Sequence, residues 1–148
     1  MSAREIGAIN IRRMTSNDLD GVIVLISKIT KGELSITYRD LVANYAGPLD
    51  LSFVAEVNGQ VVGFILARLE FVYIPFIEVC LIAAVGVDPE YQTRHIGAAL
   101  VNELIKYCHL QDIPIVRALV AQDNEPLRKF VEYLGFRRSN IINYDKST

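Results

Sequence analysis

The sequence predicts a mixed α/β domain, a sheet covered by helices. Three observations predict it. The dipeptide Asn58–Gly59 separates two apolar runs, a strong short-range hairpin signal because both residues tolerate positive φ. The run over 71–87, F-V-Y-I-P-F-I-E-V-C-L-I-A-A-V-G-V, is rich in β-branched and aromatic residues and is broken by Pro75 and Glu78. It reads as two strands meeting near Pro75, and it falls short of a bilayer span. Elsewhere, apolar residues return at the three-and-four spacing of a helix.

The elements follow in order. Residues 8–13 alternate weakly and predict a first strand. Thr15 or Ser16 can cap a helix with Asp18 and Asp20 in its first turn. Leu19, Val22, Ile23, Ile26 and Ile29 form its apolar stripe, and Lys31–Gly32 ends it. A shorter helix over 38–45 stops at Gly47–Pro48. Strands follow over 51–57, 61–69 and 77–87, the last with Gly86 near its end, where a glycine marks a bulge or a close backbone approach. Ile96, Ala99, Leu100, Leu104 and Cys108 make a helical stripe over 94–110. A strand over 115–121 leads to a helix capped by Asn124, with Pro126 where its missing N–H costs nothing. Leu127, Phe130, Val131 and Leu134 are its inward face, and Gly135 sits at the C-terminal cap position. Residues 141–144 predict a last strand.

At 148 residues and a net charge of -2, the chain reads as one domain over 1–148 with no basic footprint for nucleic acid. Hydrophobic residues make up 51%, which suggests fully buried strands and is compatible with a homodimer interface. The start lacks the apolar run of a secretory signal. Cys80 and Cys108 form no CxxC pair and no metal spacing with His95 or His109. They read as reduced, buried thiols of a cytoplasmic protein that needs no metal and no membrane.

The chemistry is concentrated in two segments. Residues 85–97 read V-G-V-D-P-E-Y-Q-T-R-H-I-G, a strand, a turn and a helix start. Free backbone N–H groups and the positive dipole end make such a start a phosphate site. Residues 124–136 read N-E-P-L-R-K-F-V-E-Y-L-G-F. Together, in this order, the two segments resemble the signatures Q/R-x-x-G-x-G/A and N-x-x-A-x-x-x-Y-x-x-x-G-F of the GNAT superfamily of acyl-CoA-dependent N-acetyltransferases.

The resemblance implies the GNAT fold: α/β (α+β), with a mixed, mostly antiparallel sheet of six to seven strands, about four flanking helices, and one strand pair splayed to admit acetyl-CoA. It implies acetyl transfer from acetyl-CoA to a primary amine, either a small molecule or a protein N-terminus. Backbone groups of Gln92, Thr93, Arg94, His95, Ile96, Gly97 and Ala98 would cradle the pyrophosphate, with the Arg94 side chain adding a charged hydrogen bond. A bulge near Val85, Gly86 and Val87 would free backbone groups for the pantetheine arm, and the Val87 N–H would polarise the thioester oxygen. Asn124 would touch the arm, although a plain helix N-cap explains it equally well.

The sequence departs from the family pattern in three places. His95 replaces the first glycine, and it is expected in a helical conformation that tolerates a side chain. Val131 stands where the family places a tyrosine acid, and Leu119 where many relatives place a glutamate base. Glu78, in the apolar strand leading to the site, is the candidate replacement base if it is buried. Tyr38, Tyr45 and Tyr144 are candidates to line the acceptor site. Without a base, a low-pKa α-amine is favoured as acceptor, because it is partly neutral at pH 7. The same loss also fits an acyl-CoA sensor with little turnover.

Overall fold

A computed structural model describes residues 8–32, 37–72 and 77–148, without the side chains of Thr93 and Arg94. Five strands form one sheet in the order β1 (Asn10–Arg13), β2 (Phe53–Val57), β3 (Gln60–Val72), β4 (Ile77–Val87) and β5 (Ile115–Ala118). The first four pair antiparallel and β5 pairs parallel to β4. Helices α1 (Leu19–Thr30) and α2 (Tyr38–Tyr45) cover one face; α3 (Ile96–Leu110) and α4 (Glu125–Tyr133) lie on the other side.

The two faces follow from strand alternation. Val54, Phe64 and Leu66 point toward Leu19, Val22, Ile26 and Leu41 on the α1–α2 side. Phe53, Ala55, Ile65 and Ala67 point toward Ile96, Leu100, Leu104 and Cys108 of α3. Gly63 sits under the α3 start: a Cβ there would come within 3.1 Å of Ile96 and 3.3 Å of Leu100. The absence of a side chain is what lets the helix mouth approach β3.

The sheet departs from expectation in strand number. Among the described residues it has five strands rather than six to seven. Residues 141–144 form no strand, and Ile142 and Tyr144 are exposed. Ile-Ile-Asn-Tyr has strand-forming residues, but a strand exists only where a ladder satisfies its backbone, and none among the described residues pairs with it. The strand expected over 115–121 stops at Ala118. The two strands expected to meet near Pro75 do reach Val72 and start at Ile77; Pro75 itself lies outside the described residues. No helix among the described residues is long and apolar enough to cross a membrane.

Candidate active site

The parted strands are β4 and β5. They pair only from Val79 with Ile115 to Ile82 with Ala118. Beyond Ile82, β4 continues to Val87 against β3 alone. A cleft of about 200 Å³ opens there, bounded by Ala83, Ala84 and Val85 of β4, Leu119 and Val120 beyond β5, and Leu127, Phe130 and Val131 of α4. None of the residues of α4 is fully buried, although the helix is strongly amphipathic. Its apolar face lines an open cleft instead of a closed core. Its end is fixed by a Schellman motif: Gly135 at φ +94°, Phe136 N–H to the Val131 carbonyl at 3.0 Å, and Gly135 N–H to the Glu132 carbonyl at 3.0 Å.

A bulge lies at Ala83 rather than at Val85–Gly86–Val87 as expected. Leu66 pairs with Ala84 and Ala67 with Ile82, so Ala83 is the extra residue. The insertion resets the strand's alternation. Cys80 and Ile82 before it face α3, and so do Val85 and Val87 after it, while Ala84 turns to α1. Beyond the bulge, Asp88 N–H donates to the Val62 carbonyl at 2.8 Å. Amide direction alternates along a strand, so the N–H groups of Val85 and Val87 turn away from β3, toward the cleft. The Val87 carbonyl accepts the Gln92 side-chain amide at 3.2 Å, which commits that side chain to holding the strand end. Gly86 makes room on the opposite face, where a Cβ would lie 2.5 Å from the Phe64 ring and 2.9 Å from Ile29.

At the mouth of α3 the first intrahelical bond runs from Ala99 N–H to the His95 carbonyl, 3.0 Å. The N–H groups of Ile96, Gly97 and Ala98 therefore precede the helical ladder, and His95 gives no side-chain cap. Each of α1, α2 and α4 carries an acid in its first turn; α3 carries none. This helix start thus keeps its positive end uncompensated. The turn before it, a 3-10 segment Pro89–Arg94, is anchored by Asp88, which sequence reasoning missed. Its buried carboxylate accepts from Glu90 N–H at 3.0 Å and from Lys28 Nζ of α1 at 2.9 Å.

His95 is not helical. Its φ of +57° is left-handed, the conformation a glycine adopts freely and an L side chain adopts at a cost of about 1–2 kcal/mol. A histidine thus occupies a backbone conformation that suits glycine. His95→Gly is expected to stabilise the fold by about 1 kcal/mol, part of the relief being offset by the greater unfolded-state freedom of glycine. That corresponds to a Tm rise of about 2–4 °C. A melting curve checks it, and a lower Tm would show the position to be unstrained.

A second cavity, about 310 Å³, lies on the opposite face of β4, between it and α1. Ile26, Ile29, Phe64, Leu66 and Tyr45 line it, and it shares Ala83, Ala84 and Val85 with the first cleft. Tyr45, a candidate for the acceptor site, lines this cavity; burial pushes its phenol pKa up, so it stays protonated at neutral pH. Tyr38 and Tyr144 are exposed and line neither cavity.

Glu78 is exposed, at the opening end of β4 opposite Phe71. It lines neither cavity and lacks the burial that its role as a base required. Asn124 caps α4, its side-chain oxygen accepting from Leu127 N–H at 3.3 Å. The Thr93 and Arg94 side chains lie outside the described residues. Among the described residues, neither cavity is lined by Asp, Glu, His or Lys, and no group of three or more His, Cys, Asp or Glu could hold a metal ion.

The chain is similar to known proteins in sequence and in fold. The chain is 32% identical over 140 residues to an uncharacterized N-acetyltransferase of Methanocaldococcus jannaschii, covering 89% of this chain and 62% of that protein, so it spans under two thirds of the relative's length. A structure of the aminoglycoside acetyltransferase AAC(6')-Iy with a CoA-based bisubstrate analog superposes with a TM-score of 0.78 at 18% identity, over 96% of this chain and 100% of the other. The ribosomal-protein-S18-alanine N-acetyltransferase of Escherichia coli superposes with a TM-score of 0.75 at 20% identity, over 90% and 80%. At such identities these structures establish a shared fold. The model of the acetyltransferase (GNAT) family matches residues 23–136, a span that holds the bulged strand, the bare helix mouth and the α4 wall, and the chain belongs to that family.

Proposed function

We propose that residues 1–148 act as a single N-acetyltransferase domain that moves the acetyl group of acetyl-CoA to a primary amine by direct attack in a ternary complex. The observation that carries this reading is the shared wall: two cavities on opposite faces of the sheet meet at Ala83, Ala84 and Val85. The diphosphate rests on the N–H groups of Ile96, Gly97 and Ala98, where the helix dipole favours negative charge. Backbone groups of Gln92, Thr93, Arg94 and His95 extend the cradle. The pantetheine arm pairs with the unladdered edge of β4 at the Val87 N–H, passing Gly86 and the Asn124 cap. The amine comes from the Ile29–Phe64 side.

The amine nitrogen bonds to the thioester carbon, the C–S bond breaks, and the amine proton ends on the departing sulfur of CoA. Val87, expected to polarise the thioester oxygen, lies beside Gly97 at the diphosphate end and lines neither cavity, so the donor at the shared wall for the oxygen that gains charge during attack is the Val85 N–H. With no ionisable carboxylate, imidazole or ammonium on the described walls, the amine must arrive already neutral. The holding of amine against thioester supplies the acceleration. The buried, free thiols of Cys80 and Cys108 suit a reducing cytoplasm.

Thermal denaturation with and without CoA tests the first half. A CoA concentration about 100-fold above Kd is expected to stabilise the protein by about 2.7 kcal/mol. Formation of acetylated amine, read by mass spectrometry, tests the second half, and kcat/KM is expected to rise with pH up to the pKa of the acceptor amine. Stabilisation by CoA with no amide formed from any amine would favour the acyl-CoA sensor, a reading supported by the bare cavity walls. No stabilisation at millimolar CoA would refute both.

A further inference from the structure

We propose that the acceptor is a primary amine carrying a compact apolar group beside its nitrogen, and that Ile29 and Phe64 select it. This rests on the acetyltransferase reading above and names its substrate class. On the amine side, Ile26, Ile29, Phe64, Leu66 and Ala84 present carbon to the cavity. Its floor is tight: Gly86 leaves just enough room for the Phe64 ring and the tip of Ile29, since a Cβ there would lie 2.5–2.9 Å from them. The Thr30 hydroxyl donates to the Ile26 carbonyl at 2.8 Å, and Tyr45 presents a protonated phenol, so among the described residues the polar groups of this wall carry no negative charge.

A polycation needs carboxylates, and among the described residues the carboxylates that act on Tyr45 are Asp50 and Glu70. Asp50 is buried, accepts Ser52 N–H at 3.1 Å and lies 3.9 Å from Arg13 Nη2. Glu70 lies 3.5 Å from Arg68 Nε. Both already face an arginine, and neither lines the cavity. A volume of about 310 Å³ also stands at the small end of ligand sites, which run roughly 300–1,000 Å³. It suits one side chain the size of leucine or phenylalanine better than several charged rings.

The test uses the full chain, acetyl-CoA and mass-spectrometric detection of the amide. The amines are leucinamide, phenylalaninamide, a leucine-initiated tetrapeptide, glycinamide, spermidine and kanamycin. Glycinamide is the decisive control, because it offers an α-amine without the apolar group. Leucinamide or phenylalaninamide is expected to exceed glycinamide in kcat/KM by roughly 10–100-fold, the factor that burying such a side chain gives. Comparing leucinamide with the tetrapeptide distinguishes a free metabolite from a polypeptide N-terminus.

Ile29→Asp is expected to raise the leucinamide KM at least tenfold and to narrow the gap to spermidine, while stabilisation by CoA stays unchanged. Glycinamide, spermidine or kanamycin matching the apolar amines would overturn the proposal with the acetyltransferase reading intact. So would an Ile29→Asp variant indistinguishable from the parent. If CoA binds and no amide forms at all, saturation-transfer NMR of phenylalaninamide on the CoA-loaded protein decides: contact that Ile29→Asp abolishes supports the proposal, and absence of contact overturns it. Failure of CoA to bind is a separate result, which refutes the underlying reading.

Discussion

Gly97→Glu is expected to fold as well as the parent and to lose its response to CoA. Gly97 is the second residue of α3, and its N–H lies ahead of the helical ladder. A Cβ there would meet Phe130 at 3.5 Å and Val87 at 3.8 Å, ordinary contact distances, so a side chain enters without backbone strain. The introduced carboxylate would sit in the first turn of the one described α-helix that lacks an acid there. It would complement the dipole, which is worth about 0.3–1 kcal/mol of stability. The same charge would repel the diphosphate and compete for its N–H donors. Losing even two charge-assisted hydrogen bonds, each about 1.5–3 kcal/mol, weakens binding at least ~100-fold. Gly97→Ala keeps the bulk small and adds no charge, and it should retain most of the affinity. Titration calorimetry with CoA separates the pair. Near-parent affinity in Gly97→Glu would rule out the α3 mouth as the diphosphate site.

Much of the fold was legible because local chemistry fixes it. Asn58 and Gly59 take φ of +52° and +79°, as a two-residue hairpin turn demands. Gly135 ends α4 at the position where its backbone freedom is needed. Strand length and pairing were less legible, because they depend on partners far along the chain. Nothing within A-A-V-G-V shows that Ala83 is the unpaired residue; the register against Leu66 and Ala67 decides it. Residues 119–121 continue the apolar pattern of β5, yet they leave the ladder, and their departure is what opens the cleft. The last strand failed for the same reason: 141–144 has the residue types but no partner among the described residues.

The cosubstrate side proposed for the site is made mostly of backbone, which is why it could be proposed from sequence. A helix start without an acid after an apolar strand is visible in sequence, whatever its side chains are. The conformation of His95 was not visible, since a histidine gives no sign that it occupies a glycine's place. Glu78 misled for a related reason. It lies in the most apolar run, but its register partner Phe71 is 53% exposed, so that end of the ladder projects past the core. Apart from Tyr45, the wall proposed to take the acceptor gave no signal. Ile26 and Ile29 belong to an ordinary helical stripe, and only the packing of α1 across β4 shows that part of the stripe faces a cavity.

The arrangement that holds α1 there predicts the largest loss of stability. Arg12 of β1 donates to both carboxylate oxygens of Asp18 at 2.8 Å and to Glu56 at 3.1 Å. Asp18 is only 6% exposed and immediately precedes α1; it also accepts Thr15 N–H at 2.7 Å. The hydrogen bonds from Arg12 are the main reason the Asp18 carboxyl is held below its ordinary pKa. Arg12→Met keeps the length of the stem and leaves a buried carboxylate without its cation. The expected cost is about 3 kcal/mol, a Tm fall of roughly 6–12 °C.

The pH dependence gives this prediction a sign. A carboxyl whose pKa is depressed in the folded state stabilises the fold above its unfolded pKa, near ~4, and loses that stabilisation as pH falls through the depressed value. The gap between parent and Arg12→Met should therefore be full at pH 6–7 and should close as pH drops below about 4. Asp50 acts with the opposite sign, because burial raises its pKa and its ionised form opposes folding at neutral pH. It is common to both proteins and cancels in the difference. Because α1 carries Ile26 and Ile29, the acceptor KM should rise in Arg12→Met before CoA affinity does. Chemical denaturation across pH checks the charge effect: a gap that stays constant down to pH 3 would mean that Arg12 supports α1 through the packing of its stem, and not through its charge on Asp18.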